Sequence, residues 1–85
     1  MKKFAYIIKD ELGIHARPAG LLVKTAKQYQ SKITITKDEK SVDATKLIAL
    51  MGMGVKQGTE ISLQIEGPDE EQACGALKTF LEGNL

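Results

Sequence analysis

The chain has no tryptophan, one cysteine, one histidine, four aromatic residues, no excess of either charge and no long apolar run. Each shortage excludes something. A single cysteine, Cys74, cannot close an internal disulfide, so stability must come from packing, as suits a reducing compartment. One histidine with no second histidine and no nearby cysteine lacks the three or four ligands that zinc takes, so no metal is expected. The same histidine has no serine or cysteine at a telling spacing, which leaves hydrolysis by a catalytic triad unsupported. Twelve basic and eleven acidic side chains give a formal net charge of +1, too little to hold a nucleic-acid backbone or an anionic membrane by long-range field.

The apolar runs are short. LIALMGMGV, residues 47–55, is interrupted by glycines, whereas a membrane-spanning helix needs roughly 20 apolar residues. The opening MKKFAYIIKDE holds five apolar residues between charged ones, fewer than the roughly 7 to 15 of a signal peptide. The expectation is a cytoplasmic chain with no membrane insertion. Residues 1–85 make one domain with 42% apolar residues, and a chain of this length buries about 60 to 65% of the surface it exposes when unfolded.

Periodicity assigns the elements. Residues 2–8 alternate imperfectly, with Phe4, Tyr6 and Ile8 on one side, and Asp10, Glu11 and Gly13 mark a turn. From Ala16 to about Tyr29, Ala19, Leu22, Val23, Ala26 and Tyr29 form one helical stripe. Ile33 and Ile35 alternate in a second strand over 32–36, and a charged turn at 37–40 leads to a third around Ser41–Asp43. A short amphipathic segment from about Lys46 to Met53 ends in glycines. Ile61, Leu63 and Ile65 alternate in a clear strand over 60–66, and Ala73, Leu77, Phe80 and Leu81 then return to helical spacing. The order β-α-β-β-α-β-α describes an α+β two-layer open-faced sandwich, with helices on one face of the sheet and water on the other.

GIHARPAG, residues 13–20, carries the one histidine. If a helix opens at Ala16, His15 is its N-cap, next to backbone N–H groups that have no intrahelical acceptor and attract anions. Pro18 falls in the first turn, where its missing N–H is not needed and its fixed φ suits the helix entrance. Arg17 adds a permanent charge and a planar fork that can hold a phosphate through two hydrogen bonds. A neutral imidazole keeps one ring nitrogen free as a nucleophile. These parts suit a phosphohistidine, although spacing alone does not separate that reading from a solvated surface histidine.

Three stretches together resemble the HPr family, the histidine-containing phosphocarriers of the bacterial phosphoenolpyruvate-dependent sugar phosphotransferase system. They are GIHARPAGLLVKTAKQY, SVDATKLIALMGMGVKQGTEISLQIEG and DEEQACGAL, and the likeness spans essentially the whole chain. The resemblance implies a sheet of four antiparallel strands with three helices on one face. It further implies a stoichiometric carrier rather than an enzyme. His15 would accept a phosphoryl group through Nδ1 from phosphorylated Enzyme I and pass it to the IIA domains of sugar permeases. Arg17 would neutralise the phosphate, and the amides of Ala16 and Arg17 would hydrogen-bond it.

A partner surface is expected around this site. Arg17, Gly20, Lys24 and Lys27 fall on one side of the first helix as a narrow basic stripe that could steer acidic partners, although such stripes are commonly only solvated faces. Gly20 costs roughly 1 kcal/mol of helix propensity, which packing or close partner approach could explain; the family more often has alanine or threonine there. Leu47, Ile48 and Met51 are too many apolar residues to fit beneath one short helix, so some should stay exposed beside the histidine. The resemblance makes these three the apolar centre of the docking patch.

Position 46 departs from the family, many of whose members have there a serine phosphorylated by a regulatory kinase. Lys46 has no hydroxyl, so that regulatory serine is absent, and an outward ammonium would extend the basic surface. Thr45 is read as a helix cap, not as a displaced phosphorylation site. Cys74 reads as a small, partly buried apolar residue. A monomer is expected. Two rivals remain: a regulatory or binding module, or specialised paralogue, that docks regulatory proteins, and, far behind, a small RNA-binding domain. The latter needs aromatics on the open sheet face, whereas Phe4, Tyr6, Tyr29 and Phe80 fall mainly on core sides.

Overall fold

The computed structural model describes residues 1–85. Its elements are β1 (Lys2–Ile7), α1 (Ala16–Ala26), β2 (Lys32–Lys37), β3 (Lys40–Asp43), α2 (Leu47–Met51), β4 (Glu60–Glu66) and α3 (Glu70–Asn84). The four strands form one antiparallel sheet in the order β1-β4-β2-β3, with no helix long and apolar enough to cross a membrane.

Strand alternation sets the layering. Ile61, Leu63 and Ile65 of β4 and Ile33 and Ile35 of β2 are fully buried on one face, and the register pairs Ile33 with Ile65 and Ile35 with Leu63. On the opposite face Thr34 pairs with Gln64 and Thr36 with Ser62, polar groups that leave this side to water. Ala19, Leu22 and Ala26 of α1, Leu50 of α2, and Ala73, Leu77 and Leu81 of α3 close over the apolar face in one core of 19 residues. The four aromatics pack at its margin, and Tyr6 donates its hydroxyl to the Leu81 carbonyl at 3.0 Å. Cys74 is buried in that core, more deeply than its sequence position indicated.

Several boundaries differ from the periodicity reading, β1 and β2 by one residue each at their ends. α1 ends at Ala26, three residues before Tyr29, because Gln28 and Tyr29 donate to the carbonyls of Thr25 and Ala26 in tight turns that bring the chain round to β2. Tyr29 still packs on the core, so its apolar character belonged to the turn. α2 covers only Leu47–Met51; Met53 is buried from the loop that follows, which mimics a further helical turn in the pattern. β3 begins one residue early, at Lys40, whose partner across the hairpin is Lys37.

A side-chain tie joins α3 to the sheet. The Asp69 carboxylate accepts the backbone N–H of Gln30 (2.9 Å) and of Ser31 (3.0 Å), and the Ser31 hydroxyl, so the start of α3 is fastened to the start of β2. Those bonds favour the charged carboxylate, and they hold Asp69 below the ordinary carboxylate range, the Ser31 hydroxyl contributing most.

Candidate functional site

The turn between β1 and α1 is held from three sides. The N–H groups of Lys9 and Asp10 donate to the Leu85 carbonyl at 2.6 and 2.8 Å, Gly13 N–H donates to the Asp10 carbonyl at 3.0 Å, and Ile14 N–H donates to Val55 at 3.2 Å. Gly13 has φ +68°, and a Cβ there would lie 2.1 Å from the Val55 carbonyl oxygen, so only glycine allows this approach. The buried Ile14 side chain then anchors the turn in the core. His15 follows immediately, and its position is dictated by that seat.

His15 is the N-cap of α1, in extended conformation, and its carbonyl accepts the first intrahelical bond, from Ala19 N–H at 3.0 Å. Its side chain makes no cap bond and is 36% exposed, which leaves the ring accessible. The amides of Ala16 and Arg17 precede that first bond and have no acceptor in the chain. Pro18 has no N–H to satisfy and is buried, fixing the helix entrance in place. Arg17 is exposed and takes part in none of the ion pairs. His15, Arg17, Pro18, Asp10, Leu21, Gly83 and Asn84 line one shallow cleft.

The free amides and Arg17 favour an anion in this cleft, and the Asp10 carboxylate opposes one on its own side of the ring. A helix N-terminus contributes about 0.3–1 kcal/mol to a negative charge, and an arginine adds a charge-assisted pair of donors. The larger concavity at the start of α3 presents Asp69, Glu70 and Glu71 instead, a cluster that repels anions. An imidazole with an open lone pair, free amides beside it and an unpaired guanidinium can accept a phosphoryl group and spread its charge without trapping it.

The remaining predicted residues sort into two groups. Lys24 and Lys27 are exposed along α1. Gly20 lies between Arg17 and Lys24, and no heavy atom stands within 4 Å of the place a Cβ would take, so packing within the chain does not explain the glycine. Leu47, Ile48 and Met51 are exposed at 39%, 80% and 42%, while Leu50 alone of α2 is buried. All three therefore stay outside, and Leu21, 44% exposed on α1, is a further apolar residue at the surface, in the cleft with His15. Leu21 was missed although it stands off the Ala19, Leu22 and Ala26 stripe, a signal present in the spacing.

Lys46 is exposed as the N-cap of α2 and makes no side-chain cap bond. The reading of Thr45 as a helix cap is corrected: its hydroxyl donates to Asp43 Oδ1 at 2.6 Å and its N–H to the same oxygen at 2.8 Å, which builds a turn before the helix. These two bonds, the hydroxyl first, hold Asp43 below the ordinary carboxylate range. Asp10 was read only as a turn residue, yet its Oδ2 lies 3.4 Å from His15 Nε2.

The family described as "PTS HPr component phosphorylation site" matches residues 2–83. The phosphocarrier protein HPr of Mycoplasma capricolum is 45% identical over 78 residues, 92% of this chain and 88% of that protein. HPr-C-His from Thermoanaerobacter tengcongensis has a similar crystal structure, with TM-score 0.93 and 43% identity over 98% of this chain and 93% of that one. The HPr dimer from the same organism, also 43% identical, covers 98% of this chain and 95% of that one at TM-score 0.77.

Proposed function

The chain belongs to the HPr family of phosphotransferase-system phosphocarriers, and from that premise we propose that His15 carries the phosphoryl group, taking it from phosphorylated Enzyme I and giving it to IIA domains of sugar permeases. The observation that carries this reading is the open imidazole at the N-terminus of α1, flanked by two free amides and an unpaired arginine. Nδ1 attacks phosphorus, and the Ala16 and Arg17 amides with the Arg17 guanidinium take up charge on the phosphoryl oxygens. The stabilisation is modest by design of the site: each donor is solvent-facing, so the bound group stays transferable to the next nucleophile.

The apolar patch of Leu21, Leu47, Ile48 and Met51, with Lys24, Lys27 and Lys46 around it, docks the donor and the acceptor in turn. Apolar contacts supply affinity, and the lysines steer acidic faces toward His15. Gly20 leaves room on the helix surface for close approach. The acting form in this reading is a cytoplasmic monomer. Incubation with phosphoenolpyruvate and Enzyme I should place one acid-labile phosphate on the chain, and His15→Ala should abolish it. An unlabelled wild-type protein would leave only a binding role.

A further inference from the structure

The turn that positions His15 also brings it a carboxylate to which phosphoryl transfer has so far assigned no part. Asp10 Oδ2 stands 3.4 Å from His15 Nε2 and accepts the Leu12 N–H at 2.9 Å. The backbone beneath it is fastened, its N–H to the Leu85 carbonyl at 2.8 Å and its carbonyl to Gly13 N–H at 3.0 Å. Among the residues lining the cleft, only Asp10 of the turn and Arg17 of α1 can carry charge besides His15; Leu21 and Pro18 of α1 and Gly83 and Asn84 of α3 bring none.

The pair lies at ion-pair distance rather than in a formed hydrogen bond, and a negative charge there favours the proton on the nearer ring nitrogen, because a carboxylate can accept from it and cannot donate. Building on the phosphocarrier reading, we propose that Asp10 is a positioning residue for His15: its carboxylate keeps a proton on Nε2 before and after phosphorylation, leaving Nδ1 as the nucleophile. In the loading step the Nδ1 lone pair forms the N–P bond while the donor's bond to phosphorus breaks and its electron pair departs with the donor. The ring then holds phosphorus on Nδ1 and hydrogen on Nε2, a cation facing Asp10. In the unloading step a nucleophile bonds to phosphorus and the N–P pair returns to Nδ1. With Nε2 protonated, the group that leaves is neutral imidazole; without that proton it is imidazolate, a far poorer leaving group. The same carboxylate repels a phosphoryl group at Nε2. One residue thus governs both the site of attachment and the ease of release.

The test compares wild type, Asp10→Asn and Asp10→Ala by two readouts. The first is the two-bond proton–nitrogen spectrum of the unphosphorylated ring, which reports the tautomer. The second is the pH profile of phosphate hydrolysis from protein loaded with phosphoenolpyruvate and Enzyme I. Asparagine keeps an oxygen for the Leu12 N–H, and because that is the oxygen nearest Nε2 it removes the charge while leaving an acceptor there; alanine removes both. Asp10→Ala should show more Nδ1–H tautomer, and Asp10→Asn a smaller change in the same direction. Both should also release the phosphoryl group about threefold more slowly on the alkaline side of the profile, as suits a half-exposed pair. A ring spectrum of Asp10→Ala superimposable on that of wild type, or unchanged hydrolysis in an Asp10→Asn protein of wild-type unfolding midpoint, would overturn the proposal. If Enzyme I fails to label His15, the carrier reading falls, and the ring spectrum alone then decides the role of Asp10, an unchanged tautomer refuting it.

Discussion

Replacing Gly13 by alanine should be strongly destabilising. The left-handed backbone at φ +68° penalises an L-residue by about 1–2 kcal/mol. The new Cβ would stand 2.1 Å from the Val55 carbonyl oxygen and 2.8 Å from Lys56 Cα, and no rotamer change can move a Cβ. The two backbones must therefore part, and the 3.2 Å bond from Ile14 to Val55 goes with them, a further loss of about 1 kcal/mol. The total is roughly 2–3 kcal/mol, against a stability of about 4–13 kcal/mol for a domain of this size. The melting temperature should fall by on the order of 8–24 °C. Gly20→Ala is the control: φ is ordinary, nothing lies within 4 Å, and the helix should gain about 0.5–1 kcal/mol. Urea unfolding followed by circular dichroism measures both. A Gly13→Ala protein within about 1 kcal/mol of wild type, or a destabilised Gly20→Ala protein, would refute the reasoning.

Leu63 is fully buried in β4, between β1 and β2, so Leu63→Ala should lose about 2–5 kcal/mol in the same urea assay. Ile48→Asp should leave the unfolding midpoint within about 0.5 kcal/mol, because the side chain is 80% exposed, yet slow phosphorylation by Enzyme I about tenfold in stopped-flow assays. Asp43 and Asp69 both have lowered pKa values in the folded chain, so the stability they provide is fully present above the unfolded aspartate value near 4 and is lost as pH falls through their folded values. Acid titration of the unfolding free energy should thus be flat above about pH 5 and fall below about pH 4, with a shallower fall in Asp69→Asn.

The open-faced sandwich was legible because its signals are local. Ile61, Leu63 and Ile65 alternate with polar residues, and a half-buried strand leaves that pattern in any sequence. The boundaries at Ala26 and Met51 were less legible, since Tyr29 and Met53 are apolar residues that pack from turns and extend the helical pattern without belonging to a helix. His15, Arg17 and Pro18 lie within four residues, so their common place at a helix entrance followed from spacing. Leu21 could have been found from the same helix, by standing off the buried stripe. Asp10 could not: it is five residues from His15 across a turn, and only the folding of that turn on Gly13 turns its oxygen toward the ring.

The amino-acid sequence by itself determined the elements, the apolar face of each, the helix that opens after the histidine and the family resemblance, because periodicity and capping act over a few neighbouring residues. Tertiary structure alone decided that Val55, on the far side of α2, supplies the seat for Gly13, that Leu85 fastens the turn, and that a carboxylate faces Nε2. Those contacts join segments far apart in the chain, and such proximity is a property of the packed core rather than of any local pattern.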